Sequence, residues 1–177
     1  MHSVTTHTVE ESVEVSVPVR TAYNQWTQFK TFPRFTSWVR RVDQVRPTVL
    51  VWVVGYGPVH REFTAEIQEQ VPDSHLTWRS LGRGPSHRGE VTFRPADAGG
   101  ARVTVRMEFA PRGLAGALAR VPAMTERVVR LELRNFKEFI EGLGEECGAW
   151  RGVIRHGHVR PLEPEPPRSR VPTWPVG

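Results

Sequence analysis

Glu132 stands where a carboxylate is costly. In the long amphipathic stretch near the C-terminus, a helical wheel places it between Val128 and Phe136, near the centre of the apolar face. An unpaired carboxylate there costs several kcal/mol, so the residue requires a partner or a bound water. It is either a polar anchor inside a ligand cavity or one half of a structural pair. Arg61 shares a strand face with Phe63, Ala65 and Ile67, and His87 shares one with Gly89, Val91 and Phe93, which makes both candidate partners. Such a couple could hold a polar ligand group or move a proton. Both residues also fall near strand ends, where a rim or solvent position is the alternative.

Trp52, Phe63, Trp78, Phe93 and Met107 supply the apolar surface that small-molecule sites require, and Phe136 belongs to the apolar face of the helix. Each of them would serve equally in a plain core. Other chemistries find no support. His156 and His158 with Cys147 lack a fourth metal ligand at suitable spacing. No Gly-x-Ser-x-Gly elbow occurs, and adjacency in a strand sends Ser86 and His87 to opposite faces. Gly82-Arg83-Gly84-Pro85 is a turn rather than a phosphate loop, because proline forbids the helix that should follow. No metal or cofactor is expected.

The elements that must position these residues are legible in the pattern. Apolar and polar residues alternate from Val9 to Val17, and Pro18 then suits a first helical turn. Ala22, Trp26 and Phe29 recur at helical spacing, and Phe32-Pro33 breaks the run. Strands are predicted at 38–46, 48–55, 60–71, 74–81, 87–95 and 101–110. The short Gly-, Pro- and Asp-containing links between them imply an antiparallel meander. Residues 49–54 are apolar on both faces, so that strand should be covered twice or meet a partner. Residues 111–120 read as a loop or short irregular helix. A long helix follows from about Pro122 to Leu143, with Val121, Val128, Phe136, Phe139 and Leu143 on one face.

Length and composition set the outer bounds. A chain of 177 residues, 38% hydrophobic, supports one domain with a substantial core at 9–143. Residues 1–8 are expected to fray, and 144–177, rich in proline and arginine, to be disordered or draped on the surface. Cys147 is the only cysteine, so no internal disulfide forms. No signal-like segment or membrane-length apolar run is present, which makes a cytoplasmic protein the expectation. The net charge of +5 and pI near 10.3 invite a nucleic-acid reading. Acids alternate with bases along almost every segment, however, and no nucleic-acid motif accompanies the charge, so none is expected.

The strand-then-helix run at 13–35, with Trp26, Phe29 and Phe32-Pro33, resembles the START-like (SRPBCC) helix-grip superfamily, specifically its polyketide cyclase/dehydrase and coenzyme Q-binding-like branch. Ala65-Glu66-Ile67, Trp78-Arg79-Ser80, Gly89-Glu90-Val91-Thr92-Phe93 and Phe136-Lys137-Glu138-Phe139-Ile140 extend the likeness over about 9–143. The resemblance implies an α+β, Bet v 1-like fold: a seven-stranded antiparallel sheet curled around the C-terminal helix, with a hydrophobic pocket between them. It implies no single activity.

Binding of a hydrophobic small molecule such as a lipid, quinone or polyketide-like compound needs only an apolar pocket with one or two polar anchors. A polyketide aromatase/cyclase or dehydratase would also need an acid/base pair, Glu132 with His87 or Arg61, converging within hydrogen-bond reach. A third possibility is a protein partner or anionic membrane surface met by the tail, including Trp150 and Trp174.

Overall fold

The computed structural model describes residues 6–82, 86–109 and 121–161. Seven strands form the main sheet: β1 (His7–Val15), β2 (Val39–Arg46), β3 (Val49–Tyr56), β4 (Val59–Val71), β5 (His75–Leu81), β6 (His87–Pro95) and β7 (Ala101–Phe109). All pairings are antiparallel, in the order β1-β7-β6-β5-β4-β3-β2. The six predicted runs appear as the meander β2 to β7, each boundary within a residue of expectation. Turn chemistry explains the agreement. At Gly55, for example, φ is +147° and an added Cβ would lie 2.2 Å from the Val59 carbonyl oxygen, so only glycine fits.

β1 begins earlier than expected. Composition places His7 and Thr8 in a frayed end, but they pair with Phe109 and Glu108, because β7 runs far enough to offer them backbone partners.

Register aligns the apolar residues into rows across one face. Val9, Met107, Gly89, Trp78 and Ile67 are successive cross-strand partners. Val13, Val103 and Phe93 form a parallel row toward the other end of the strands. That end is closed by α1 (Val19–Trp26), directly after Pro18, and by a 3₁₀ helix at Phe29–Arg34. Pro33 removes a backbone donor there, and the chain tightens instead of continuing as α-helix.

α2 (Val121–Leu143) lies over the apolar face and runs alongside β1. Three contacts fasten the two elements in step: Arg130 donates to Glu11, Lys137 to the Glu14 carbonyl, and the Ser16 N–H to Glu141. From residue 11 to 16 a strand rises about 16 Å. From 130 to 141 a helix rises about 16 Å as well. The matched lengths set α2 parallel to β1. Each contact is partly exposed and contributes little singly; together they fix the direction of the helix.

The packed face of α2 differs from the expected one. Leu133, Phe136 and Ile140 are buried and Val129 packs beside them, whereas Leu143 is exposed. The apolar stripe is wide enough to admit either phase, and contact with the sheet selects the one through Leu133 and Ile140. Glu132 therefore sits at the margin of the packed face rather than at its centre.

Aromatic rings join the layers. Phe136 meets Trp26 edge-on at 5.1 Å and Phe35 at 5.5 Å, Tyr23 meets Phe93 at 5.4 Å, and Trp26 meets Phe32 at 5.3 Å.

The segment after Gly144 departs from the disorder that its composition suggests. Strands β8 (Ile154–Arg155) and β9 (His158–Val159) form a small hairpin, and Ile154 pairs with Gln70 of β4 and is fully buried. Asn24 and Gln25, polar yet buried on α1, explain why. Asn24 donates to Glu146 and accepts from Arg151, and Gln25 accepts from the Cys147 N–H. Arg151 also donates to Asp73 at 2.7 Å and lies over the Tyr23 ring. The segment satisfies polar groups that would otherwise be stranded in the interior. Residues 162–177 of the predicted tail, and the predicted loop at 111–120, lie outside the described residues.

Replacing Phe136 with alanine should lower unfolding free energy by about 3–5 kcal/mol, measured by urea denaturation. Arg151→Met should also destabilise the chain, by roughly 1–3 kcal/mol, because it leaves Asn24 and Asp73 without their shared donor.

Candidate functional site

The inward face of the sheet is unevenly covered. Near α1 its side chains are fully packed: Val15, Ala101, Val103, Phe93, Leu76 and Ile67 are all buried. Toward the β3–β4 and β5–β6 turns, inward residues of the same strands remain partly exposed, among them Phe63, Trp78, His87 and Met107. Strand alternation makes all of them point inward; limited cover leaves them accessible.

Phe63 and Trp52 are direct cross-strand partners whose rings are parallel within 5°, with centroids 6.2 Å apart. Phe32 abuts the same indole edge-on at 5.2 Å. Trp78 lies flat across its neighbour Gly89, where an added Cβ would fall 2.2 Å from the indole ring. Gly89 thus seats the indole against the strand. His87 stands between Phe63, at 5.1 Å, and Phe109, at 6.0 Å. Burial holds its pKa below the ordinary 6.5, so the imidazole is neutral at physiological pH. Its Nδ1 is buried and has no hydrogen-bond partner among the described residues.

Glu132 meets neither expected partner. Its Oε1 accepts from the Ser37 hydroxyl at 2.9 Å and from the Ser37 N–H at 3.3 Å, while its Oε2 is buried without a partner among the described residues. Arg61 is inward by strand parity but exposed at the outer end of β4, and it forms no ion pair among the described residues. Trp52, Phe63, Trp78, His87 and Met107 are therefore brought to one partly open face. Phe93 and Phe136 lie deeper, within the packed core, and Arg61 stands outside.

Sequence pattern missed Ser37 and Phe109. Ser37 lies in the connection between the 3₁₀ helix and β2, whose path no periodicity sets. Phe109 could have been found, because it continues the parity of Val103, Val105 and Met107. The Tyr23 hydroxyl is a further buried polar group, and burial pushes its pKa up to about 12 against a smaller lowering by the neighbouring Gln70 amide.

Two concavities described in the structure lie elsewhere on the surface. One, of about 590 Å³, runs between the 3₁₀ helix, the β2–β3 hairpin and residues 149–150; the other, of about 350 Å³, lies beside the β4–β5 turn. Both are open and neither includes Trp78 or His87. The inward face is the stronger candidate because it combines exposed aromatic surface with stranded polar atoms. Among the described residues, no cluster of three or more His, Cys, Asp or Glu gathers as a metal site. No helix among them is long and apolar enough to cross a membrane.

An antiparallel sheet with a long C-terminal helix across one face, closed by a short helix after the first strand, is the helix-grip architecture of START-like proteins. Residues 15–138 match the model of a family described as polyketide cyclase / dehydrase and lipid transport, and the chain belongs to that family. An uncharacterised 17.2 kDa protein from the melC2-rnhH intergenic region of Streptomyces lincolnensis is 44% identical over 146 residues, covering 82% of this chain and 97% of that protein. Among solved structures, the Zhui aromatase/cyclase from Streptomyces sp. R1128 superposes with a TM-score of 0.67 at 15% identity, covering 82% of this chain and all of the other. A START superfamily protein from Mycobacterium smegmatis gives 0.60 at 14% identity, covering 77% and 96%. At these identities the two structures establish the fold.

Burial of His87 has a consequence for stability. The unfolded chain protonates this residue near 6.5, and the folded chain only at lower pH. Between those values the unfolded state binds the extra proton, so stability falls as pH drops. The carboxylates of Glu11, Glu69, Glu141 and Glu146, held low chiefly by hydrogen bonds from Arg130, His75, Lys137 and Asn24, lose their contribution only at pH below 4.5. His87→Phe should therefore flatten the decline just below pH 6.5 and leave the acid limb in place, as read from urea midpoints across pH.

Proposed function

We propose that the chain binds a hydrophobic small molecule, of lipid, quinone or polyketide-like chemistry, between the open end of the inward face and α2. The observation that carries this reading is the incomplete burial of Phe63, Trp78 and Met107 on the face that should be driest. Large apolar side chains left accessible there lose transfer free energy unless something apolar covers them. His87, neutral and unpartnered at Nδ1, would provide the polar anchor, accepting from a ligand hydroxyl or amide if the proton resides on Nε2. A soluble protein in the cytoplasm is the compartment proposed.

The second reading, a polyketide aromatase/cyclase or dehydratase, draws support from the family description and from the shared architecture of the Zhui enzyme. It requires a proton-transferring pair at the ligand. Glu132 bonds to Ser37 rather than to His87 or Arg61, so the pair suggested by the sequence is not assembled, and His87 alone would be the base. Carriage therefore takes precedence.

Native mass spectrometry of protein purified from its own host, followed by denaturing extraction, should find a retained apolar compound in the wild-type chain. Trp78→Ala should lower its occupancy about tenfold while circular dichroism stays unchanged, since a buried aromatic contact is worth roughly that factor. Equal retention by wild type, Trp78→Ala and His87→Ala would overturn this placement. Conversion of a linear poly-ketone to a cyclised product would instead establish the enzyme.

A further inference from the structure

The open groove at the closed end of the grip has the makings of a second site. Its walls come from the 3₁₀ helix, the β2–β3 hairpin and the segment after α2. It lies at the opposite end of the strands from His87. Its volume of about 590 Å³ is within the range that small-molecule sites occupy.

Charge is one-sided in the groove. Lys30 and Arg46 both line it, no aspartate or glutamate does, and neither cation forms an ion pair among the described residues. Elsewhere on this surface arginines commonly meet acids, as at Arg79–Glu66, Arg88–Glu108 and Arg102–Glu14. Two cations without an acid partner among the described residues, lining one concavity, create a positive potential that draws an anion.

Apolar surface accompanies the charge. Trp150 is 39% exposed and Val45 58% exposed. The indole is not loose: it lies against Gly152, where an added Cβ would come within 2.3 Å of its ring. A held indole is a ready stacking surface with little rotamer entropy left to lose. Gln70, 1% exposed, contributes to the floor, and Gln44 is tied to the hairpin by its bond to the Pro47 carbonyl.

We propose that this groove binds a soluble organic anion that joins a phosphate or carboxylate to a flat apolar ring. Lys30 and Arg46 take the anionic group and Trp150 the ring. A concave shape suits a discrete ligand better than a membrane surface, which a flat or convex face would meet. The site is separate from the inward face, so its occupant need not be the hydrophobic cargo.

The test is a titration of the full chain with 1-naphthyl phosphate, followed by calorimetry and by the indole N–H resonances of labelled tryptophan. Saturable binding that shifts Trp150 is expected, weakened about tenfold or more in the Lys30→Gln, Arg46→Gln double variant, since each lost charge-assisted bond is a strong one. Both side chains are exposed and form no ion pair among the described residues, so that variant should fold as wild type does. Trp150→Leu should weaken the naphthyl compound and leave the feeble response to inorganic phosphate unchanged. Uncharged 1-naphthol should bind wild type and double variant alike, shifting Trp78 if it enters the inward face; loss of that response would count against the inward pocket alone. An unchanged affinity in the double variant, or shifts at Trp78 without Trp150, would overturn the groove as an anion site. Binding to phosphatidylglycerol vesicles with no response to naphthyl phosphate would overturn a soluble ligand in favour of a membrane.

Discussion

Everything in this molecule turns on how far α2 can settle into the sheet, and the Phe136 ring sets that depth. Fully buried, it takes Trp26 edge-on from α1 and Phe35 from the end of the 3₁₀ helix, so three separate stretches of chain meet at one side chain. Such ring pairs are worth about 0.5–1.5 kcal/mol each beyond the area they bury. Their geometry matters more than their sum. Edge-on contacts at 5.1 and 5.5 Å fix the helix against the closing elements at one end of the sheet. The fastenings to β1 at Glu11, Glu14 and Ser16 then fix its direction.

α2 runs along β1, and Phe136 seats it against the closing elements near α1. Burial along the inward face is graded: tight at Val15, Ala101 and Phe93, looser at Phe63, Trp78 and Met107. The same architecture can hold cargo or catalyse, depending on which polar groups stand at the loose end. In this chain they are a neutral His87 and a Glu132 already engaged with Ser37.

Much of this was legible in the sequence because β-structure announces itself with a period of two and with the residues that turns require. The strands from Val39 to Phe109 fall where Pro, Gly and Asp punctuate the pattern, and parity groups Phe63 with Ala65 and Ile67 and His87 with Val91 and Phe93, while the register that brings Trp52, Trp78 and Met107 to the same face is visible only in the fold. Helix phase was less secure. Val128, Val129, Leu131 and Leu133 make a stripe too broad to fix rotation, and one residue of rotation moved Glu132 from the centre of the packed face to its margin. The segment at 145–161 was harder still. Its proline and arginine content argues against a core of its own, which is correct; it is held by polar groups of another element, Asn24 and Gln25, and no local pattern records a partner more than a hundred positions away.

Gly89 gives the site an adjustable depth. The strand ladder on either side of it is independent of side chains, so the backbone would tolerate other residues there, while the Trp78 indole would not keep its place. Any Cβ at that position must displace the ring. A single codon thus governs where the Trp78 ring lies, without touching the residues that hold the fold together. Lineages diverging from this chain have in that one position a route to a reshaped inward face that leaves the framework intact.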